Sequence, residues 1–122
     1  MLKLVFCLRR LPHLDRAQFQ DHWRNVHGPL VRRHAAALRI VRYVQAHSLP
    51  DAASLGLGRA RGAPEPFDGV AELWYAGEED LRASGRDPAG REAGQILLED
   101  ERKFIDHARS PIWLAREELV LD

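Results

Sequence analysis

The sequence predicts an α+β fold whose elements follow in the order strand, helix, strand, strand, helix, strand. Four short segments are alternating or β-branched and aromatic, and the segments between them carry apolar residues at helical spacing. With 122 residues, 45% of them hydrophobic, the chain is long enough to bury a core without disulfides or metal ions. We therefore expect a single domain that spans residues 1–122.

The first strand is predicted over residues 2–9. Leu2, Leu4, Phe6 and Leu8 fall on one face of this segment, because successive side chains of a strand point to opposite sides. The residues between them form the other face, and the strand is expected to end before the first proline of the chain. This pattern indicates a strand with one face in the core.

A helix is predicted to begin after Asp15, whose carboxylate is suited to cap the first turn. Gln18, three residues later, completes a variant of the capping box. The pair Gly28–Pro29 is expected to break the helix, because proline is tolerated at the first position of a helix and poorly inside one. The apolar stripe of this helix consists of Phe19, Trp23 and Val26.

The remaining elements are predicted on both sides of the segment 50–66. This segment, PDAASLGLGRARGAPEP, is rich in Gly, Ala, Arg and Pro, and we expect it to be one long loop. The sequence on either side is too short to fold alone, so the loop is not a domain linker. The other predicted elements are a helix over 30–38, strands over 39–47 and 69–75, a helical turn over 78–83, a helix over 88–106 and a strand over 112–121.

Charge and cysteine content exclude several classes of protein. Eighteen basic and eighteen acidic residues cancel, so no net field attracts nucleic acid or an anionic membrane. No apolar run approaches the ~20 residues that span a bilayer, and the first residues do not resemble a signal peptide. The single cysteine, Cys7, has no internal disulfide partner, which fits a reducing cytoplasm.

The element order is that of a four-stranded antiparallel sheet with helices on one face, a ferredoxin-like βαββαβ arrangement. Both faces of the predicted strands carry bulky apolar residues: Tyr43 opposes Val44, and Ile112 opposes Trp113. A bare apolar sheet face usually marks a partner surface. We therefore expect a homodimer in which two sheets pack face to face and form a dimeric α+β barrel.

Four stretches form a pattern that extends over nearly the whole chain. They are Phe19 with Trp23-x-x-x-His27-Gly28-Pro29-Leu30, then Arg42-Tyr43-Val44-Gln45-x-His47, then 67–74 (FDGVAELW), then Glu99-Asp100-Glu101 with Phe104-Ile105-Asp106. In these stretches the chain resembles the EthD-like family of dimeric α+β barrel proteins. The resemblance implies the fold and a dimer. It leaves the activity open, because related proteins are linked to ether degradation, act on polyketides or lactones, oxidise quinols or hold haem.

Asp100 is the most informative polar residue. At about 100° per residue it shares one narrow stripe of the predicted helix 88–106 with Ala93, Leu97 and Phe104. A carboxylate on a buried stripe must be hydrogen-bonded, paired or protonated. We interpret Asp100 as an acid/base group. The alternative is a structural anchor that pairs with an arginine or caps the neighbouring helix.

His27 lies beside the apolar stripe of the first helix, just before the predicted break. Imidazole moves protons near neutral pH, and a helix end is a good place from which to aim it into a cleft. The alternative is a hydrogen bond to a carbonyl freed by the break. Since both helices are predicted on one face of the sheet, we expect His27 and Asp100 to meet, with the carboxylate fixing the tautomer of the imidazole.

Polar side chains at alternate positions predict one wall of a cavity. Tyr43, Gln45 and His47 share one face of the second strand, and Glu72 and Trp74 form a similar pair on the next. Tyr43 is interpreted as a third catalytic residue, which orients the substrate or the histidine. The alternative is that this is simply the more hydrated face of the sheet.

The candidate substrate-binding residues combine these polar groups with aromatic ones. For the tryptophans the alternative, burial in the core, is the more common role. The candidate substrate-binding residues are Trp23, Gln45, His47, Glu72, Trp74 and Phe104.

Neither a metal site nor a cofactor site is predicted. His22 and His27 are five residues apart, which misses the i, i+4 spacing that places two ligands on one helix face. No glycine-rich phosphate loop opens a helix, and Cys7 in the middle of a strand is expected to be an inert thiol. The expected ligand is therefore a small organic molecule.

Three functions remain open at this point. The first is a cofactor-free enzyme that uses acid/base chemistry to dehydrate, decarboxylate, cyclise or isomerise a small cyclic or aromatic molecule. The second is a protein that binds haem or a hydrophobic metabolite without turnover. The third, which follows from the resemblance, is an auxiliary protein of a monooxygenase system.

Overall fold

The computed structural model describes all residues from Met1 to Asp122 and contains one four-stranded sheet. Its helices include one π-helical turn and one short 3₁₀ turn. None of the helices has the length and hydrophobicity required of a membrane-spanning segment. In chain order the elements are β1 (Leu2–Leu8), α1 (Arg16–His22), the π-turn (Trp23–His27), α2 (Gly28–His34), β2 (Arg42–His47), α3 (Ala52–Arg59), β3 (Gly69–Tyr75), α4 (Glu78–Arg86), α5 (Pro88–Glu101), a 3₁₀ turn (His107–Arg109) and β4 (Ile112–Ala115).

The strands form an antiparallel sheet in the order β2-β3-β1-β4. Phe6 of β1 lies opposite Ala71 of β3 on one side and Ile112 of β4 on the other. On the far side of β3, Tyr43 of β2 lies opposite Leu73. All of these side chains point to the same face, because strand side chains alternate. The predicted ferredoxin-like fold is confirmed.

The core lies between this face of the sheet and the helical layer. Phe19 and Trp23 from the first helical segment and Phe104 after α5 are almost completely buried against Leu8 of β1. The ring of Phe19 packs 5.5 Å from that of Phe104 and 5.6 Å from that of Trp23, within the range of favourable aromatic pairs. These large rings hold the two helical segments together over the sheet.

The opposite face of the sheet carries apolar side chains that remain partly exposed. Val5, Val44 and Val70 are half-buried, and Trp113 of the edge strand β4 is 47% exposed. By the register of the strands these residues point away from the core. This face matches the bare apolar face that the sequence predicted.

The predicted break at Gly28–Pro29 is wrong. The backbone stays right-handed helical from His22 through Gly28, and the chain widens into the π-turn before Pro29. In this turn the N–H of Gly28 bonds to the carbonyl of Trp23, five residues earlier. Pro29, which has no N–H to donate, sits in the first turn of α2, where its missing donor costs least. The extra residue in the π-turn thus accommodates Pro29, and the helical segment continues.

The segment 50–66 is not the uninterrupted loop that the sequence predicted. Asp51 caps the helix α3 by accepting a hydrogen bond of 2.8 Å from the backbone N–H of Ser54. The cap and the alanines and leucines of this segment outweigh the helix-breaking tendency of Gly56 and Gly58. No residue of α3 is buried, and residues after the helix up to Pro66 have no regular structure.

Several other boundaries differ from the predictions at the ends of elements. The last strand stops at Ala115, which pairs with Lys3 near the start of β1, so the chain beyond it has no strand to pair with. β2 begins at Arg42, because Arg39 adopts a left-handed backbone conformation with φ of 59°. α5 ends at Glu101 rather than near residue 106.

Candidate functional site

A cavity of about 190 Å³ lies between the sheet and the helical layer. Seventeen residues line it, and fourteen of them are hydrophobic. The side chains that bring ionisable or hydroxyl groups to its wall are His27 of the π-turn, Tyr43 of β2, Tyr75 of β3 and Glu101 at the end of α5. A small apolar chamber with a few polar groups on its wall has the character of a ligand site.

His27 and Asp100 meet at the edge of this cavity. His27 Nδ1 lies 2.8 Å from Asp100 Oδ2, and the two side chains are only 7% and 6% exposed. Asp100 shares its buried stripe with Ala93 and Leu97, as the periodicity predicted. A carboxylate accepts, so His27 donates its Nδ1 proton, and Nε2 is the ring nitrogen left for a ligand. The predicted contact between these two residues is present.

His22 binds the same carboxylate from the other side. Its Nε2 lies 3.0 and 3.1 Å from the two oxygens of Asp100, and its side chain is 25% exposed. Five residues in an α-helix turn a side chain about 140° away. The i→i+5 bonding of the π-turn instead brings His22 and His27 to one side. His22 is not predicted as a partner of Asp100 from the sequence, because the spacing of His22 and His27 excludes a shared face only in a regular α-helix.

Phe104 supports both imidazole rings but does not line the cavity. Its ring is completely buried and lies 4.7 Å from the His22 ring and 5.1 Å from the His27 ring. Lys103 approaches Asp100 at 3.8 Å and is largely exposed. The Asp100 carboxylate therefore has two imidazole partners and a longer ion pair with Lys103. The Phe104 ring packs against both imidazoles and holds them in place.

Tyr43 lines the cavity, and Gln45 holds its hydroxyl group by a hydrogen bond. Gln45 Nε2 lies 2.8 Å from the carbonyl oxygen of Trp23 and 2.9 Å from the Tyr43 hydroxyl oxygen. Because a carbonyl oxygen only accepts, Gln45 must turn its NH₂ group to both partners. No acceptor in the chain takes the proton of the Tyr43 hydroxyl, so this proton is free for a ligand. Trp23 lines the cavity beside it.

Burial raises the pKa of Tyr43, the hydrogen bond from Gln45 and the neighbouring Trp23 side chain oppose this rise, and the charge of Glu101 adds to it. A pKa above its ordinary value near 10 keeps the hydroxyl protonated at neutral pH. Tyr43 can therefore donate a hydrogen bond to an oxygen of a molecule in the cavity.

Gln45 and His47 do not line the cavity; they are linked to Tyr43 by hydrogen bonds. His47 Nε2 lies 2.8 Å from Gln45 Oε1, and its other ring nitrogen faces the Arg24 guanidinium at 3.4 Å. Burial and the charge of Arg24 lower the pKa of His47, so the ring is neutral at pH 7. Nδ1 then accepts from Arg24 and the Nε2–H donates to Gln45, an arrangement that fixes the amide facing Tyr43.

Glu72 and Trp74 lie on the opposite face of the sheet from the cavity. The register places Leu73 opposite Tyr43, so the residues on either side of Leu73 point away. There Trp74 Nε1 donates to Glu117 at 2.6 Å, and Lys3 forms an ion pair with Glu72. The structure therefore does not bring these two predicted substrate-binding residues to the cavity.

Glu101 lines the cavity although the sequence does not predict it as a site residue. Its side chain is 19% exposed, lines the cavity, and accepts a hydrogen bond of 3.0 Å from His107 Nε2. The periodicity of α5 placed it off the buried stripe that contains Asp100. Its position at the last residue of the helix lets it turn towards the sheet, and no sequence pattern signals this.

The described side chains do not form a metal site of the usual kind. No group of three or more His, Cys, Asp or Glu side chains has an arrangement that could hold a metal ion. The three groups His22, Asp100 and His27 are instead joined to one another by hydrogen bonds.

The chain matches the model of a known protein family. The family model of the EthD domain matches residues 11–108, a range that contains the π-turn, the two histidines and Asp100. The chain belongs to the EthD family. The resemblance expected from the sequence is therefore confirmed. No curated protein matches this EthD protein significantly.

Solved structures share the fold of this EthD protein. An EthD family protein from Bacillus halodurans C-125 has a TM-score of 0.63 at 19% identity and covers 97% of this chain and 100% of its own. An EthD-like protein from Ralstonia eutropha JMP134 has a TM-score of 0.59 at 17% identity, with 93% and 89% covered. A dimeric ferredoxin-like protein of unknown function from Thermobifida fusca has a TM-score of 0.57 at 16% identity, with 93% and 88% covered.

Proposed function

We propose that this EthD protein binds a small cyclic or aromatic molecule in its cavity and moves protons on it with His27, Asp100 and Tyr43, without a cofactor. The observation that carries the proposal is the buried hydrogen bond of 2.8 Å between His27 and Asp100 at the wall of an apolar cavity. A buried histidine oriented by a carboxylate is an arrangement suited to general acid/base catalysis.

His27 acts as the proton carrier. Asp100 accepts the Nδ1 proton, which fixes the neutral tautomer and leaves the lone pair of Nε2 for the ligand. When Nε2 takes a proton, the imidazolium that forms is paired with a carboxylate that needs no reorganisation. The same group then returns the proton to another atom of the ligand.

Tyr43 stabilises the oxygen on which negative charge develops. If a C–H bond next to a carbonyl breaks, its electron pair moves towards the carbonyl oxygen while the proton goes to His27 Nε2. The free hydroxyl proton of Tyr43, directed by Gln45, can donate to that oxygen. Dehydration, cyclisation and isomerisation of a cyclic ketone or enol all begin with such a step, and decarboxylation ends in its reverse.

His22 provides the route to solvent. It shares Asp100 with His27, and it is 25% exposed whereas His27 is almost buried. His22 is therefore the member of this hydrogen-bonded group through which a proton can be exchanged with the bulk solvent after each transfer.

A second candidate function is the binding of a hydrophobic metabolite or haem without turnover, or an auxiliary role in a monooxygenase system. The observation that favours binding alone is the apolar wall of the cavity, in which fourteen of seventeen residues are hydrophobic. A volume of about 190 Å³ is close to that of an engineered cavity of about 150 Å³ that holds benzene. The size supports a single ring rather than haem.

The proposal includes a homodimer formed through the bare face of the sheet. Half-buried Val5, Val44 and Val70 and the exposed ring of Trp113 form an apolar surface there. Contiguous surfaces of this kind usually mark an interface. The Thermobifida fusca protein of the same fold is described as dimeric, which supports the same arrangement here.

Deuterium exchange tests the proposed function without knowledge of the natural substrate. Cyclohexanone in D₂O exchanges its α-hydrogens through the enol, and ¹H NMR follows the loss of their signal. We expect the protein to accelerate this exchange, and His27→Gln to remove about 10²-fold or more of the acceleration. His34→Gln changes a histidine that does not line the cavity and is the control. Binding of the ketone with no acceleration would favour the second candidate function.

A further inference from the structure

The charges around the cavity point to the class of ligand, and this inference rests on the proposed function. Glu101 contributes a carboxylate to the wall, and no lysine or arginine lines the cavity. Arg24, Arg32 and Arg42 line a neighbouring surface groove, which shares Val31, Ile40 and Tyr43 with the cavity wall, but none of the three arginines lines the cavity itself. An anionic ligand in the cavity would meet a negative charge and no fixed positive charge.

His27 does not offset this imbalance. It is the one side chain on the cavity wall that can carry a positive charge near neutral pH, and it already faces Asp100 at 2.8 Å. Together the two side chains carry no net positive charge in either state of the imidazole. Burial raises the pKa of both Tyr43 and Tyr75, so their hydroxyl groups are neutral at pH 7.

The polar groups on the wall also differ in what they offer a ligand. An ionised carboxylate only accepts hydrogen bonds, whereas the Tyr43 hydroxyl has a proton to donate. Glu101 keeps one oxygen in a hydrogen bond of 3.0 Å with His107, which holds the carboxylate at the cavity. A ligand that satisfies both groups carries a hydroxyl donor and an oxygen acceptor.

We propose that Glu101 makes the cavity select uncharged, hydroxyl-bearing single-ring compounds and reject carboxylates. The hydroxyl group of the ligand donates to the free oxygen of Glu101, and its ring lies against the apolar wall. Among the reactions open to the site, this selection favours dehydration, cyclisation and isomerisation of neutral compounds over decarboxylation of an acid.

Three probes of similar size test the selection: phenol, toluene and benzoate. Their dissociation constants are measured at pH 7 from ¹H–¹⁵N NMR shifts of cavity residues. We expect phenol to bind about tenfold tighter than toluene, the effect of one hydrogen bond to a charged group, and benzoate to bind at least about tenfold weaker than phenol.

Glu101→Gln removes the charge and keeps the shape. In this variant we expect benzoate affinity to rise about tenfold, phenol affinity to fall, and toluene affinity to stay the same. Glu99→Gln removes a charge from an exposed position of the same helix and should leave all three constants unchanged.

The outcomes separate this inference from the proposed function. Tight benzoate binding to the wild-type protein, or selectivity that Glu101→Gln does not change, overturns the role of Glu101 and leaves the cavity as a ligand site. If none of the three probes shifts the cavity resonances, the ligand site itself is wrong. The wild-type constants test the selection even if Glu101→Gln does not fold.

Discussion

His27 Nδ1 and Asp100 Oδ2 are 2.8 Å apart in a part of the protein from which water is almost excluded. The two residues come from different helical segments, so this hydrogen bond also joins the first helical segment to α5. The π-turn makes the arrangement possible, because it brings His22 to the same carboxylate. One buried acid thus has a structural and a proposed chemical role.

The structural role predicts that Asp100→Asn destabilises the protein. The amide has one accepting oxygen where the carboxylate has two, so one of the imidazole N–H groups loses its acceptor in a buried site. We expect the free energy of unfolding to fall by about 1–3 kcal/mol, measured by urea denaturation. Glu99→Gln on the same helix should change it little, and an equal loss in both variants would contradict the account.

Gly69 is predicted to be a position where even one added methyl group is costly. A Cβ there would lie 2.4 Å from the buried ring of Trp23 and 2.9 Å from the carbonyl oxygen of Ala46. We expect Gly69→Ala to lower the free energy of unfolding by about 1–3 kcal/mol through overpacking, and to shift the NMR signals of the cavity.

Gly85 in α4 is the matched control, because nothing lies within 4 Å of a Cβ placed there. We expect Gly85→Ala to stabilise the helix by up to about 1 kcal/mol. If both alanine variants had the same stability as the wild-type protein, Trp23 would not be held in the position described.

His47 is predicted to titrate below its ordinary pKa of 6.5, because burial and the charge of Arg24 oppose its protonation. Below pH 6.5 the unfolded chain therefore binds more protons at this residue than the folded protein, so stability falls as the pH falls through this range. NMR titration of the ring checks the direction. Arg24→Gln should raise the pKa towards 6.5 without reaching it, since burial remains.

The exposed side chain Arg33 provides the control for that titration. Arg33→Gln removes the same charge at a position with no contact to His47, so the pKa of His47 should not change. A rise of equal size in both variants would mean that the net charge of the protein, and not Arg24, sets the pKa.

The homodimer is predicted from the bare face of the sheet. Light scattering should give a mass near twice that of the 13.9 kDa chain. Trp113→Glu places a charge on this face and should produce monomers, because burial of an unpaired charge is strongly unfavourable. Leu57→Glu alters an exposed leucine of α3 and should leave the mass unchanged. A monodisperse wild-type monomer at micromolar concentration would contradict the proposed interface.

The sequence predicted the four-stranded antiparallel sheet, the order of the elements along the chain and the contact between His27 and Asp100. These features depend on periodicity, and the buried stripe of α5 was regular enough to identify Asp100 as an inward-facing charge. The π-turn could not be predicted, because Gly28–Pro29 is as typical of a helix break as of one extra residue in a continuous helical segment. His22 was missed for this reason.

Other differences have equally local causes. Glu72 and Trp74 were placed near the cavity because strand alternation gives two faces but not the register between strands. α3 was missed because a cap at Asp51 and a few alanines outweigh two glycines. The catalytic and binding roles of the site residues stay predictions.

The most direct test of the central claim is a double-mutant cycle on His27 and Asp100, with the rate of deuterium exchange into cyclohexanone as the readout. If the two residues act as one acid/base unit, His27→Gln removes about 10²-fold or more of the rate, and adding Asp100→Asn to it causes little further loss. Two losses that multiply in the double variant, or an Asp100→Asn protein with the wild-type rate, would contradict the account.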